Sequence, residues 1–251
     1  YLKSAVVVCR CLLTFAFPAA ASRYFGLPVK GPSPTRRSLL IVSYYAPPYK
    51  SKYGTQRISK FAKFLAAMGW NIVFLVTTPT KDYELDESAE PLSADVEVVR
   101  IEAMPKHPFD GEGMFAPDDF VFWVSEFERA IARILADRPI DLILATVPPY
   151  SVALAAATMS IRAGVPLVCD FRDPWSQIDR AWNLRSSNMR RVSAALERGV
   201  LNTSDAVVMV SESRYFADYF VADVAGLREK VFSIRNGFDD DDFAQADAVA
   251  V

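Results

Sequence analysis

The chain has 251 residues, 51% hydrophobic and 23% charged, which fits a globular α/β protein and excludes a disordered one, whose apolar content cannot offset ordering entropy. A net charge of −2 and an isoelectric point of about 5.6 give no global positive field of the kind that marks a nucleic-acid partner. Cys9, Cys11 and Cys169 lack zinc-ligand or disulfide-framework spacing, and the single His107 cannot build a His-based metal cage, so a reducing compartment is the simpler reading.

The chain begins at Tyr1 and reads as a fragment or a processed product. Residues 5–22, AVVVCRCLLTFAFPAAAS, are apolar, but Arg10 interrupts them and Pro18 follows, leaving less than the roughly 20 residues of a spanning helix. Lys3, the apolar run and Ala19-Ala20-Ala21 have the form of a secretory signal, though Arg10 splits its apolar core. An interfacial membrane-binding segment and a poorly ordered appendage are the remaining readings. Gly31-Pro32-Ser33-Pro34, followed by Arg36-Arg37, reads as a linker. Residues 1–37 are therefore expected to form an apolar appendage and linker, 38–243 a folded domain, and 244–251 the start of a linker to a further domain.

Short apolar runs then alternate with segments of helical period. Leu39 to Tyr44, Asn71 to Thr77, Val96 to Ile101, Asp141 to Val147, Pro166 to Phe171, Ala206 to Val210 and Val231 to Ile234 are predicted strands. Their continuous Val/Ile/Leu character suits strands buried on both faces of a parallel sheet. Helical stripes recur at three- and four-residue steps in Ile58, Phe61, Ala62, Leu65 and Met68, with Gly69 as the cap, and in Phe120, Val124, Phe127, Ile131 and Ile134 before Pro139. Met189, Val192, Leu196 and Val200 make a third stripe, and Tyr215, Phe216 and Tyr219 part of a fourth. The alternation predicts a Rossmann-like, doubly wound, mostly parallel α/β sheet, in which ligands lie outside the carboxyl ends of the strands.

Those ends carry the informative loops. Tyr44 to Arg57 contains Pro47-Pro48, Gly54 and a helix start, a place for an anion or a sugar, but neither GxGxxG nor a P-loop lysine. An ordinary strand-to-helix turn accounts for the same residues. The fourth strand ends Ala145-Thr146-Val147-Pro148-Pro149-Tyr150-Ser151, with Ser151 able to cap the next helix. The fifth ends Asp170-Phe171-Arg172-Asp173-Pro174-Trp175, a concentrated polar group at a ligand-binding edge. Strand alternation puts Asp170 and Arg172 on one side. Arg172 then either holds a ligand or pairs with Asp170 or Asp173, and Trp175 packs beneath the loop. Asp239 to Asp242 reads as a solvated, repelling run.

Five segments occur in an order that resembles glycosyltransferase family 4-like N-terminal domains: LLIVSYYAPPYKSKYGTQRISKFAKFLAAMGWNIVFLVT, DLILATVPPYSVALAA, GVPLVCDFRDPW, ERGVLNTSDAVVMVSES and VFSIRNGFDDDDF, together spanning 38–243. The resemblance implies the N-terminal half of a GT-B glycosyltransferase taking sugar from a nucleotide-sugar donor, usually with retention and without a bound metal or other cofactor. It implies cell-surface polysaccharide or lipid-linked saccharide as the product class. The N-terminal half shapes the acceptor site, and a C-terminal half, expected to be missing from this fragment, holds the donor. On this basis Arg57, Thr146, Arg172 and Asp173 are the candidate acceptor contacts, with Asp173 also the candidate catalytic carboxylate. Gly54 is the candidate for proximity to the donor phosphates, where related enzymes commonly have two glycines and this sequence has Tyr53-Gly54. Asn236 and Gly237 resemble the segment before the interdomain crossover, and no metal ligand is assigned. The fragment alone is expected to be inactive and the enzyme to be cytoplasmic. Lys50 and Lys52, alternating with tyrosines, either engage an anionic lipid carrier or membrane surface, giving peripheral contact at the inner face of the membrane, or belong to an ordinary solvated loop. A non-catalytic Rossmann-like module that binds sugar or nucleotide, or scaffolds another protein, is the alternative.

Overall fold

The computed structural model describes residues 2–31, 36–50, 54–80, 84–86, 89, 91–103, 115–173, 175, 186–211, 224 and 226–244. His107, Lys52, Tyr53, the Tyr215–Tyr219 stripe and 245–251 lie outside the described residues.

Two helices lead, α1 (Leu2–Ala16) and α2 (Pro18–Phe25), bent by 107° about Phe17. Pro18 suits the first turn of the second helix, where its missing N–H would have no partner anyway. No single helix among the described residues is long and apolar enough to cross a membrane. The pair departs from the loose appendage the composition suggests. Val7 and Cys11 are buried in the main core, Arg10 pairs with the buried Glu128 at 2.5 Å, and the Arg162 guanidinium donates to the Phe25 carbonyl at 2.9 Å. A segment apolar on its inner face gains more from docking on the domain than from staying solvated.

The sheet follows in chain order: β1 (Ser38–Val42), α3 (Thr55–Ala67), β2 (Asn71–Thr77), β3 (Val96–Ile101), a 3₁₀ turn (Asp119–Trp123), α4 (Val124–Asp137), β4 (Leu142–Val147), α5 (Tyr150–Ala163), β5 (Leu167–Phe171), α6 (Ser187–Thr203), β6 (Ala206–Met209), β7 (Val231–Ser233) and a last turn, α7 (Asp241–Ala244). All pairings are parallel, in the order β3-β2-β1-β4-β5-β6-β7, with Leu40 opposite Val73 on one side and Ile143 on the other. Each strand begins and ends within two residues of its predicted range.

Alternation along β1 divides the core. Leu39 and Ile41 join Ile58 and Ala62 of α3 on one face, whereas Leu40 and Val42 join α4, α5 and the N-terminal helices on the other. The sequence order reverses between β1 and β4, so the crevice outside their carboxyl ends is the switch point where this class of sheet binds ligands.

Candidate functional site

The carboxyl edge is organised around a buried ion pair. Asp170, at the end of β5, is fully buried and accepts two bonds from Arg57 Nε, both at 3.1 Å, and one from Nη2 at 2.8 Å. Thr146 Oγ1 donates to the same carboxylate at 3.0 Å, and Arg57 Nη1 donates to Asn236 Oδ1 at 3.1 Å. The guanidinium also lies 4.6 Å from the Phe61 ring centroid. Four elements are thus tied at one point: α3 by Arg57, β4 by Thr146, β5 by Asp170 and the segment after β7 by Asn236. A carboxylate inside a parallel sheet needs such saturation, because an unpaired buried charge costs several kcal/mol.

Arg172 continues the clasp at the end of β4. Its Nε donates to the Val147 carbonyl at 3.2 Å and its Nη2 to the Pro148 carbonyl at 2.5 Å. Burial pushes its pKa below the usual guanidinium range, against the charges of Asp170 and Asp173. The side chain passes directly over Gly54, where a Cβ would come within 1.2 Å of Nη1. Gly54 has φ +72° and ends the loop into α3 without a side-chain cap. Its lack of a side chain therefore admits Arg172.

Two clefts meet at Arg172 and Asp173. The larger, about 730 Å³, is lined by Gly54, Arg57, Arg172, Asp173, Asn236 and Gly237 among others, so it gathers every candidate site residue except Thr146. Thr146 is buried and turned to Asp170. The smaller cleft, about 300 Å³, lies at the switch point between Tyr45, Asp118, Phe120, Pro148 and Tyr150. Asp173 is exposed at the rim of both. Trp175 packs beneath as expected, stacked on Tyr150 at 5.0 Å with its indole N–H donating to Ser193 Oγ at 3.1 Å.

Asp118 is absent from the sequence-derived candidates. Its carboxylate accepts from the Phe120 N–H at 3.0 Å, the Tyr150 N–H at 2.5 Å and the Ser151 N–H at 3.1 Å, and the Ser151 hydroxyl donates to it at 2.5 Å. Burial pushes its pKa above the ordinary carboxylate value, while these bonds hold it down. It corrects the expected role of Ser151: the start of α5 is capped across the chain by Asp118, and Ser151 lies inside the first turn. An aspartate before an apolar helical stripe is a visible cap signal for its own 3₁₀ turn, whereas the second cap, 32 residues away, leaves none.

The acidic run also differs from a solvated stretch. Asp239 bridges Lys60 and Lys63 of α3 at 2.8 and 2.7 Å, and Asp242 and Asp241 pair with the same two lysines at 2.5 and 2.7 Å. Among the described residues, no group of three His, Cys, Asp or Glu is arranged to hold a metal ion.

The all-parallel Rossmann-like sheet with its ligand edge at the strand carboxyl ends is the architecture of GT-B glycosyltransferases. The family profile of the glycosyl transferase 4-like domain matches residues 54–237, more than half of the chain, and the chain belongs to that family. Among solved structures, apo UGT2 of Phytolacca americana superposes with a TM-score of 0.52 at 12% identity, over 83% of this chain and 55% of that one. Anabaena Alr3699/HepE, solved with UDP and glucose, gives 0.46 at 18% identity, over 81% and 45%. The chain thus spans about half the length of these structures. No curated protein sequence matches it.

Proposed function

We propose that this domain is the acceptor-binding half of a hexosyltransferase-like enzyme that moves a sugar, with retention, from a nucleotide-sugar donor to a saccharide or lipid-linked acceptor in polysaccharide or glycoconjugate biosynthesis. The observation that carries this reading is the cleft of about 730 Å³ at the carboxyl edge, where Gly54, Arg57, Arg172, Asp173, Asn236 and Gly237 meet in a glycosyltransferase-family domain. Glycosyl transfer passes through an oxocarbenium-like state, so a domain on the acceptor side contributes positioning and charge placement more than a covalent partner.

Asp173, the exposed carboxylate on the rim, accepts hydrogen bonds from acceptor hydroxyls and assists proton removal. Arg172, held by two carbonyls, fixes that rim, and Arg57 reaches the cleft from its pair with Asp170. The start of α3 at Gly54 turns free backbone N–H groups toward the donor phosphates. A second half, joined beyond Asn236-Gly237, holds the donor, so residues 1–251 alone transfer no sugar. The reading invokes no cofactor and no metal. It sets the enzyme in the cytoplasm, with peripheral contact at the inner membrane face where a lipid-linked acceptor is presented.

The test is Asp173→Asn in the complete enzyme, which keeps size and removes charge. Transfer should fall about 100-fold with an unchanged thermal midpoint. Wild-type transfer and acceptor affinity in a normally folded variant would leave the constellation a structural clasp. In parallel, residues 1–251 assayed with a panel of nucleotide sugars should give no turnover.

A further inference from the structure

The N-terminal helices are apolar on more sides than the domain can cover. On α1 the inner stripe is Ser4, Val7 and Cys11, all buried, while Lys3, Val6, Arg10 and Leu13 recur at three- and four-residue steps on an exposed stripe that flanks it. That stripe runs into the elbow, where Phe17 is 61% exposed, and onto α2, where Tyr24 and Phe25 are 70% and 67% exposed. A large apolar stripe belongs against an apolar medium, and here the protein covers only the inner one.

A groove of about 570 Å³ opens between Leu13, Phe17 and Phe25, with the buried Ala21, Glu128 and Thr158 also in its lining. It lies among the N-terminal helices, α4 and α5, and shares none of its lining with the carboxyl-edge clefts. Cations frame it. Arg10 and Arg162 line it, Arg23 sits 5.6 Å from the Tyr24 ring centroid, and the acid in the lining, Glu128, is already paired with Arg10. The bias extends along the sequence: residues 1–81 contain twelve Lys and Arg and no Asp or Glu, although the whole chain is slightly acidic.

We infer that the outer face of the α1–α2 elbow is a docking surface for an anionic lipid bilayer. Leu13, Phe17 and Phe25 enter the acyl boundary, one acyl chain enters the groove between them, and Lys3 and Arg23 meet the headgroups. The inner stripe is committed to the domain, so the helices lie in the interface plane. The inference rests on the peripheral membrane contact proposed above and names its surface, in place of the loop that carries Lys50 and Lys52. Lys50 is itself paired with Glu84 at 3.0 Å.

Vesicle cosedimentation of the full-length protein, with no sugar donor present, tests it. The wild type should bind vesicles of phosphatidylcholine with phosphatidylglycerol, and bind phosphatidylcholine alone more weakly. Phe17→Asp with Phe25→Asp changes two exposed side chains, so the circular dichroism spectrum should be kept while binding to anionic vesicles falls about tenfold or more. Lys50→Glu with Lys52→Glu should bind as the wild type does. If the elbow variant binds normally and the loop variant does not, the surface is wrong and the membrane reading stands; if the wild type binds neither vesicle, both fall. A wild-type dimer that the elbow variant dissolves would seat a second copy on this face and overturn the inference.

Discussion

At the scale of single residues, the Arg57–Asp170 pair and the Gly54–Arg172 contact make different predictions. Asp170 is fully buried and Arg57 only 6% exposed, so removing one partner strands the other charge away from water. Asp170→Ala should cost about 3–5 kcal/mol in urea unfolding, as broken buried pairs do. Gly54→Ala is strained twice, by φ +72° and by the guanidinium its Cβ would meet. The arginine tip can move, but only by leaving the Val147 and Pro148 carbonyls. Stability should fall by about 1 kcal/mol or more. The double variant with Arg172→Ala should lose less than the two single losses added together, since the contact is already gone in either background; strict additivity in denaturant titrations would show that glycine and arginine are not coupled.

Among the secondary-structure elements, the central strands were legible because fully buried parallel strands write themselves as continuous apolar runs, and β2, buried from Ile72 to Thr77, matches its predicted range at both ends. The range of β3 also matches, but as an edge strand with only Val96 buried it departs from the expected burial on both faces. Helix α5 was harder to read. Eleven of its residues are buried, most of them alanine or other small residues, so its sequence has no polar face to set a period. The docking of α1 could not be read at all, because an apolar segment looks alike whether it meets lipid, a signal receptor or its own domain. The site was legible where it is local: Arg172 and Asp173 stand in one loop. Its long-range parts, such as Asp118 capping α5 and Asn236 reaching Arg57, depend on contacts that no spacing rule encodes. The α1–α6 contact offers a test at this scale. A Cβ on Gly199 of α6 would fall 2.2 Å from the Phe15 ring of α1. Gly199→Leu should therefore lift α1 from the domain and raise proteolytic cleavage within residues 2–25, whereas α6, where leucine is a better helix former than glycine, should keep its helicity. Unchanged protection of the N-terminal helices would refute the packing role of Gly199.

Across the whole molecule, the segment after β7 is held to the domain by charge. Lys60 and Lys63 project from α3 and Asp239 accepts from both, with Asp241 and Asp242 at the flanks. In the proposed enzyme this segment leads to the donor half, so its attachment to α3 fixes one end of the hinge. The hydrogen bonds from Lys60 and Lys63 hold the Asp239 carboxyl well below the usual carboxylate range, and those that Lys63 donates to Asp239 and Asp241 hold its ammonium above the usual lysine range. A depressed carboxylate contributes stability that is present above its unfolded pKa, about 4, and is lost as pH falls through the lower folded value. A raised lysine contributes stability that is full below its unfolded pKa, about 10.4, and is lost as pH rises through the higher folded value. The latch should therefore stay closed throughout the neutral range and release only in strong acid or strong alkali. Glu128 has the opposite sign: burial raises its folded pKa, so its ionisation weakens the fold as pH rises, and Arg10 offsets part of that loss. Hydrogen exchange separates the two groups. Amides of 234–244 should keep constant protection between about pH 5 and 9, after correction for intrinsic rates, because both latch partners stay ionised there. Asp239→Asn should lower that protection at neutral pH and leave β1, β4 and β5 unchanged. Protection of 234–244 that survives Asp239→Asn would mean that Asn236 and its bond to Arg57, and not the lysine pair, hold the segment.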